Sequence, residues 1–315
     1  MKKLFSCLIV IAAAVLATSL VAQAGFPEKP VKIIVPFPAG GSTDGLFRAS
    51  QPYLQKYLNQ KIVITNIKGA GGSVGLKRAV SARPDGYTLG IYAGNIPVQE
   101  ALGAVKFGSN EIQGVAHLVN MYLGVATRWE GPYKTLKDIQ AAAQKNPGKI
   151  GIAMGHGTLA QFGSIMVAKG MGVKLKYVNI GDGAEKMTAV LGGHVETLIT
   201  PMAGLIPHHR AKKLRILASM SPERLDFSQD IPSTYEQGCK AAAYNFSSIV
   251  VAQGTPADRV QILSQAIKKM GEDPEYQKLM AKLMLIWDYK DAQGLAAFIE
   301  SYRKDIFELK KDAGF

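Results

Sequence analysis

The sequence predicts a two-domain α/β protein built from parallel-rich mixed sheets flanked by helices. Three observations lead there. Short apolar runs alternate with helix-period segments, glycine-rich turns stand at the strand-to-helix junctions, and 315 residues leave room for two domains of ordinary size. Val31–Phe37 is an apolar run bounded by prolines and reads as a buried strand. The turn 38–43 follows, with Ser42 or Thr43 suited to cap a helix over Asp44–Leu58. Lys61–Thr65 is the next strand, then glycine-rich 69–72, a helix to about Ala82, a turn at 84–87 and the strand Thr88–Ala93. This β-α-β-α-β order implies a largely parallel sheet.

A second unit repeats the pattern. Leu118–Ala126 reads as a strand, Thr135 opens a helix that ends near Asn146, and Lys149–Met154 is a strand. A loop at 155–158 leads to the helix Leu159–Lys169, and Lys174–Val178 leads through Gly181-Asp182-Gly183 to the helix Ala184–Leu191. Strands at Val195–Thr200, Leu214–Ala218 and Ser247–Ala252 precede helices over Pro256–Lys269, Pro274–Met284 and Asp291–Glu308. The expected partition is 25–125 plus 246–315 as one domain and 126–245 as the other. A single elongated domain is the alternative.

Residues 1–24 have the layout of a signal peptide: Lys2 and Lys3, an apolar run from Leu4 to Val21, then Ala22-Gln23-Ala24. A membrane anchor competes with that reading, but the run lacks stop-transfer charges at its rim. Cys7 stands too near the start to follow a positive segment and an apolar core, so it is not read as a lipid anchor. The expected mature chain, Gly25–Phe315, keeps only Cys239, which excludes an internal disulfide in an oxidising compartment. Packing must therefore hold the fold, and a 47% hydrophobic composition can support it. Without a second long apolar stretch, the mature chain is expected to be soluble, and it is read as a monomer. Loss of Lys2 and Lys3 lowers the formal charge from +13 to +11, a balance that favours acidic partners. The basic residues are spread out, with no zinc-finger or RNA-binding motif, so nucleic acid is not an expected partner.

The glycine junctions read as an anion site. Glycines let backbone N–H groups approach a ligand, and a helix start presents unpaired donors with partial positive charge. Phe37, Gly40, Gly41, Ser42, Thr43 and Asp44 form the first such junction. Asp44 would repel an anion if it pointed inward and is better used to accept first-turn N–H groups or to hold the loop, unless the ligand also carries a donor. Gly155, His156, Gly157 and Thr158 form a second junction, and Asp182 sits in a third. Asn95, Thr200 and Ala203 follow strands and are placed at the same mouth, since open α/β sheets bind ligands outside strand carboxyl ends. A plain turn and helix cap explains any one of these junctions alone.

Nucleotide and catalytic motifs fit poorly. There is no Walker end, no dinucleotide glycine at Val74, and no HExxH, CxxC or Gly-x-Ser-x-Gly. No cofactor, metal or catalytic residue is expected. His208 and His209 read as a basic surface turn, Cys239 as structural, and Trp129 and Trp287 as packing groups.

Several motifs in order along the mature chain resemble the extracytoplasmic solute receptors of tripartite tricarboxylate transport systems, the TctC or Bug-like family. They include Val35–Asp44, Asn66–Gly72, Arg83–Leu89, Asn146–Lys149, Gly155–Thr158, Leu191–Glu196, Pro232–Gly238 and Ala252–Pro256. The resemblance implies a type II-like periplasmic binding fold with a hinge. It also implies a carboxylate clamped between the loops Phe37–Asp44 and Gly155–Thr158, and delivery to a two-component membrane permease. Ala39, where the family often has proline, His156 and 179–183 depart from the family's usual wording. A sensor for a membrane signalling partner and an exported hydrolase are the competing functions.

Overall fold

The computed structural model describes residues 25–105, 111–181 and 184–312, so the expected leader and Asp182 lie outside the described residues. β1 (Val31–Val35) lies between β2 (Ile62–Asn66) and β3 (Thr88–Ala93), parallel to both, with Val31 opposite Ile62 and Lys32 opposite Thr88. α1 (Ser42–Leu58) and α2 (Ser73–Val80) make the crossovers. Four of the five β1 side chains are buried, as expected of a strand covered on both faces.

β9 (Tyr244–Ala252) joins antiparallel to β3, and β4 (Ile112–Arg128) lies antiparallel beside β9. As far as Tyr122, which faces Tyr244, β4 belongs to this sheet. From Leu123 onward it pairs with β7 (Thr197–Pro201), and from Gly124 also with β8 (Leu214–Ser219). β5 (Gly151–Met154) runs parallel to β7 and to β6 (Lys176–Asn179). The order β2-β1-β3-β9-β4-β7-β5-β6 is thus two sheets sharing one strand, the two-domain periplasmic binding architecture.

The remaining helices flank these sheets: α3 (Asn95–Ala101), α4 (Leu136–Lys145), α5 (Leu159–Met171), α6 (Ala184–Leu191), α7 (Met202–Arg210), α8 (Ala257–Glu272), α9 (Pro274–Lys282) and α10 (Ala292–Asp312). α10 packs on β4 and α3, so the end of the chain returns to the first sheet. Among the described residues no helix is long and apolar enough to cross a membrane.

Several boundaries differ from expectation. β4 starts six residues before the expected Leu118, because Gly114 and His117 interrupt the apolar run that would have announced it. β10 (Ile286–Lys290) was not anticipated; it is a five-residue strand between two helices and pairs antiparallel with β4. His208 and His209 stand in the last turn of α7 rather than in a surface turn, and the Ile216 N–H donates to His209 Nδ1 at 3.0 Å. Pro207 inside that helix hides it from a sequence reading. The two tryptophans pack as expected: Arg215 lies over Trp129, and Trp287 meets Tyr276 edge-on.

His117 ties three adjacent strands together. Fully buried on β4, it makes hydrogen bonds through Nδ1 with Ser248 Oγ on β9 (2.9 Å) and through Nε2 with Asn120 Oδ1 (3.1 Å). Asp288 on β10 approaches to 3.7 Å and is itself paired with Lys290. Burial holds the imidazole well below its ordinary value of 6.5, and Asp288 only partly opposes this. The unfolded chain therefore takes up a proton that the folded chain refuses, so stability is full above that ordinary value and lost as pH falls below it. Thermal melts are expected to show a drop in Tm between about pH 7 and about pH 5 that is smaller in His117→Gln. Equal drops in both proteins would contradict this role.

Candidate ligand-binding site

The loop between β1 and α1 is organised around the Asp44 carboxylate, which is 2% exposed. It accepts hydrogen bonds from the Gly40 N–H, Arg48 Nε and Asn66 Nδ2, each at 2.8 Å. Asn66 Nδ2 also donates to the Phe37 carbonyl at 3.1 Å. The Arg48 hydrogen bond, more than any other contact, holds the Asp44 carboxyl at about 2, against the opposing effect of burial. Asp44 is the keeper of the loop, and the Gly40 N–H is committed to it.

The cap of α1 is not the expected one. Gly41 occupies the N-cap position and no side chain caps the helix, so Ser42 and Thr43 belong to its first turn. The loop between β5 and α5 repeats this arrangement. Thr158 is the N-cap, but its hydroxyl turns back to the Gly155 carbonyl (2.8 Å) and makes no cap bond. The Gly157 N–H donates to Gln161 Oε1 at 2.8 Å, and its φ of +69° suits glycine. His156 is exposed, and its N–H donates to Asn179 Oδ1 at 3.2 Å. By contrast α4, away from this region, carries a full capping box of Thr135 and Asp138. Helices α1 and α5 therefore open with backbone donors that no side chain satisfies.

Between them lies a cavity of about 290 Å³. Phe37, Pro38, Gly41, Ser42 and Thr43 line one side, and Thr158, Leu159 and Ala160 line the other. Leu123, at the partner exchange of β4, Asn95, Asn245, Lys186, Thr200 and Pro201 complete the wall. Asn245 Oδ1 accepts the Gly94 N–H at 3.0 Å and the Phe246 N–H at 2.9 Å.

The expected residues thus separate by position. Phe37, Gly41, Ser42, Thr43, Asn95 and Thr158 meet at one cavity, joined by Thr200. Asp44, Gly155 and Gly157 support the loops from outside the lining. Gly40 and Ala203 line a neighbouring cavity of about 300 Å³ on the Tyr122 and Met284 side, while His156 lines neither. Asp182 is among the residues outside the described structure.

Sequence reading missed Lys186, Asn245, Leu159 and Ala160. A signal for Lys186 was present: with Ala189 and Val190 it forms an i, i+3, i+4 set, and all three are buried. Gln99 was also missed. From α3 its Nε2 donates to the Gly157 carbonyl at 2.7 Å, tying α3 to the loop between β5 and α5. A Cβ at Gly71 would lie 2.9 Å from the same nitrogen, so the 69–72 glycine stretch makes room for this side chain. Cys239 is buried, and burial pushes its thiol up to about 11, the opposite of what a nucleophile requires.

A family model described as "Tripartite tricarboxylate transporter family receptor" matches residues 46–313. The chain belongs to that family. It is a solute-binding receptor and not an enzyme, in keeping with a cavity lined by backbone donors. It is 29% identical over 291 residues to the "UPF0065 protein in gbd 5'region" of Cupriavidus necator, covering 91% of this chain and 88% of that one. A TctC solute-binding protein from Polaromonas superposes with a TM-score of 0.79 at 24% identity, over 91% of this chain and 100% of that one. An R. palustris protein solved with adipate gives 0.81 at 19% identity, over 92% and 99%. Membership of this receptor family places the protein outside the cytoplasm.

Asp44→Ala leaves the Gly40 N–H, Arg48 and Asn66 without their shared acceptor. Urea unfolding is expected to show a loss of about 1–3 kcal/mol. A change within about 0.5 kcal/mol, the usual range for surface substitutions, would remove Asp44 from this role.

Proposed function

We propose that this receptor captures a small organic carboxylate in the periplasm and delivers it to a two-component membrane permease. The observation that carries the reading is the meeting of two helix N-termini without side-chain caps, α1 and α5, across a single cavity. Each contributes partial positive charge and outward N–H groups, and charge-assisted hydrogen bonds to a carboxylate are about twice as strong as neutral ones. A cavity of about 290 Å³ stands at the small end of the usual range and fits a solute of few atoms. The adipate bound by the R. palustris relative supports an organic acid of this size.

The same geometry supports a closing movement. The expected domains, 25–125 with 246–315 and 126–245, are proposed to move about the β4 partner exchange at Tyr122–Leu123 and the start of β9. Gln99 joins the two in the present arrangement.

A thermal-shift screen of the Gly25–Phe315 chain against small mono- and dicarboxylates is expected to give a selective rise in Tm, because ligand binds the folded state alone. Gly41→Asp tests the grip. It places a carboxylate at the N-cap of α1, where it takes the first-turn N–H groups for itself. The variant is expected to be as stable as the parent or more so, by up to about 1 kcal/mol, and to lose the shift. A folded Gly41→Asp that binds as well as the parent would sink the assignment.

A further inference from the structure

We propose that Gln99 is a latch between the two sheets, a positioning residue whose hydrogen bond holds the closed arrangement whether or not a ligand is bound. The inference rests on the proposed closing movement and is independent of what the cavity takes.

Gln99 belongs to α3, which follows β3 of the first sheet, whereas Gly157 follows β5 of the second. The 2.7 Å bond from Gln99 Nε2 to the Gly157 carbonyl therefore joins elements carried by different sheets. Each end of it is held by its own side. Glu100, the next residue on α3, accepts a hydrogen bond from Arg303 Nε of α10 at 2.6 Å, and its side chain is 6% exposed. On the other side the Gly157 N–H donates to Gln161 Oε1 of α5. The Gln99 amide itself lies between two glycines. A Cβ at Gly71 would stand 2.9 Å from Nε2, and one at Gly157 would stand 3.2 Å from it. Leu102, three residues on and so on the same face of α3, would lie 3.5 Å from that Gly157 Cβ.

Neither Gln99 nor Gly157 lines the cavity. Their bond adds nothing to the ligand's own contacts, so it favours the closed form by the same factor with or without ligand. A solute that enters and leaves through the open form alone is then slowed in both directions, and its affinity changes less than either rate. The cavity wall decides what is held, and Gln99 decides how long it stays.

The test is single-molecule FRET on the ligand-free Gly25–Phe315 chain. Dyes are placed through Lys68→Cys, after β2, and Lys145→Cys, at the end of α4; both lysines are exposed, and Cys239 is buried away from labelling. The parent is expected to be mostly closed. Gln99→Met removes the donor and is expected to cut the closed-to-open ratio by roughly two- to tenfold. Gln99→Glu keeps the length and planar end of the side chain but sets an acceptor against the carbonyl, so it is expected to do the same should Gln99→Met fold poorly. A merely structural contact would leave that ratio where it was. Two populations in an unchanged ratio in both variants would overturn the latch and leave the closing movement standing. A single population common to the parent and both variants would overturn the two together, while the carboxylate reading is still judged by the thermal-shift screen.

Discussion

The shared strand β4 is the constraint on which the rest of the molecule depends. Its hydrogen bonds pass from β9 to β7 and β8 between Tyr122 and Leu123, so it is the strand that joins the two sheets, and β8 and β10 enter them through β4. The exchange sets the carboxyl ends of β1 and β5 on opposite sides of one gap. Each of those strands then turns through glycines into a helix whose N-terminus faces that gap. Leu123, the first residue after the exchange, lies on the cavity wall.

Within that frame the two loops use their polar side chains on themselves. Asp44 takes the Gly40 N–H, Arg48 and Asn66; Thr158 turns to Gly155; Gln161 takes the Gly157 N–H. These bonds fix the loop shapes and leave the opening donors of α1 and α5 as backbone groups. Loops held in this way would lower the ordering cost of binding a ligand between them. Gln99 adds a bond from the first side to the second, seated in space that a side chain at Gly71 would fill.

The alternation of strands and helices was legible because buried parallel strands are continuous apolar runs and the glycine turns punctuate them. The loop-holding role of Asp44 was legible too, since a carboxylate facing an anion would be repelled. Other features depended on distant pairing. β10 is five residues that become a strand only against β4, and α7 contains a proline that reads as a break. The division of the glycine loops into lining and supporting residues was not legible, because adjacent glycines read alike; the fold alone gives Gly40 a φ of +81° with its N–H on Asp44 and makes Gly41 the N-cap. The buried face of α6 that carries Lys186, Ala189 and Val190 was legible as a helix-period pattern, but that this face meets the cavity depends on the topology.

The claim that a carboxylate is held between the two helix N-termini is tested most directly by a crystal structure with a bound organic acid from the thermal-shift screen. The account predicts carboxylate oxygens about 2.7–3.2 Å from first-turn N–H groups of both α1 and α5. Ligand density elsewhere, such as in the groove between α5 and α10 lined by Phe162 and Tyr302, would contradict it.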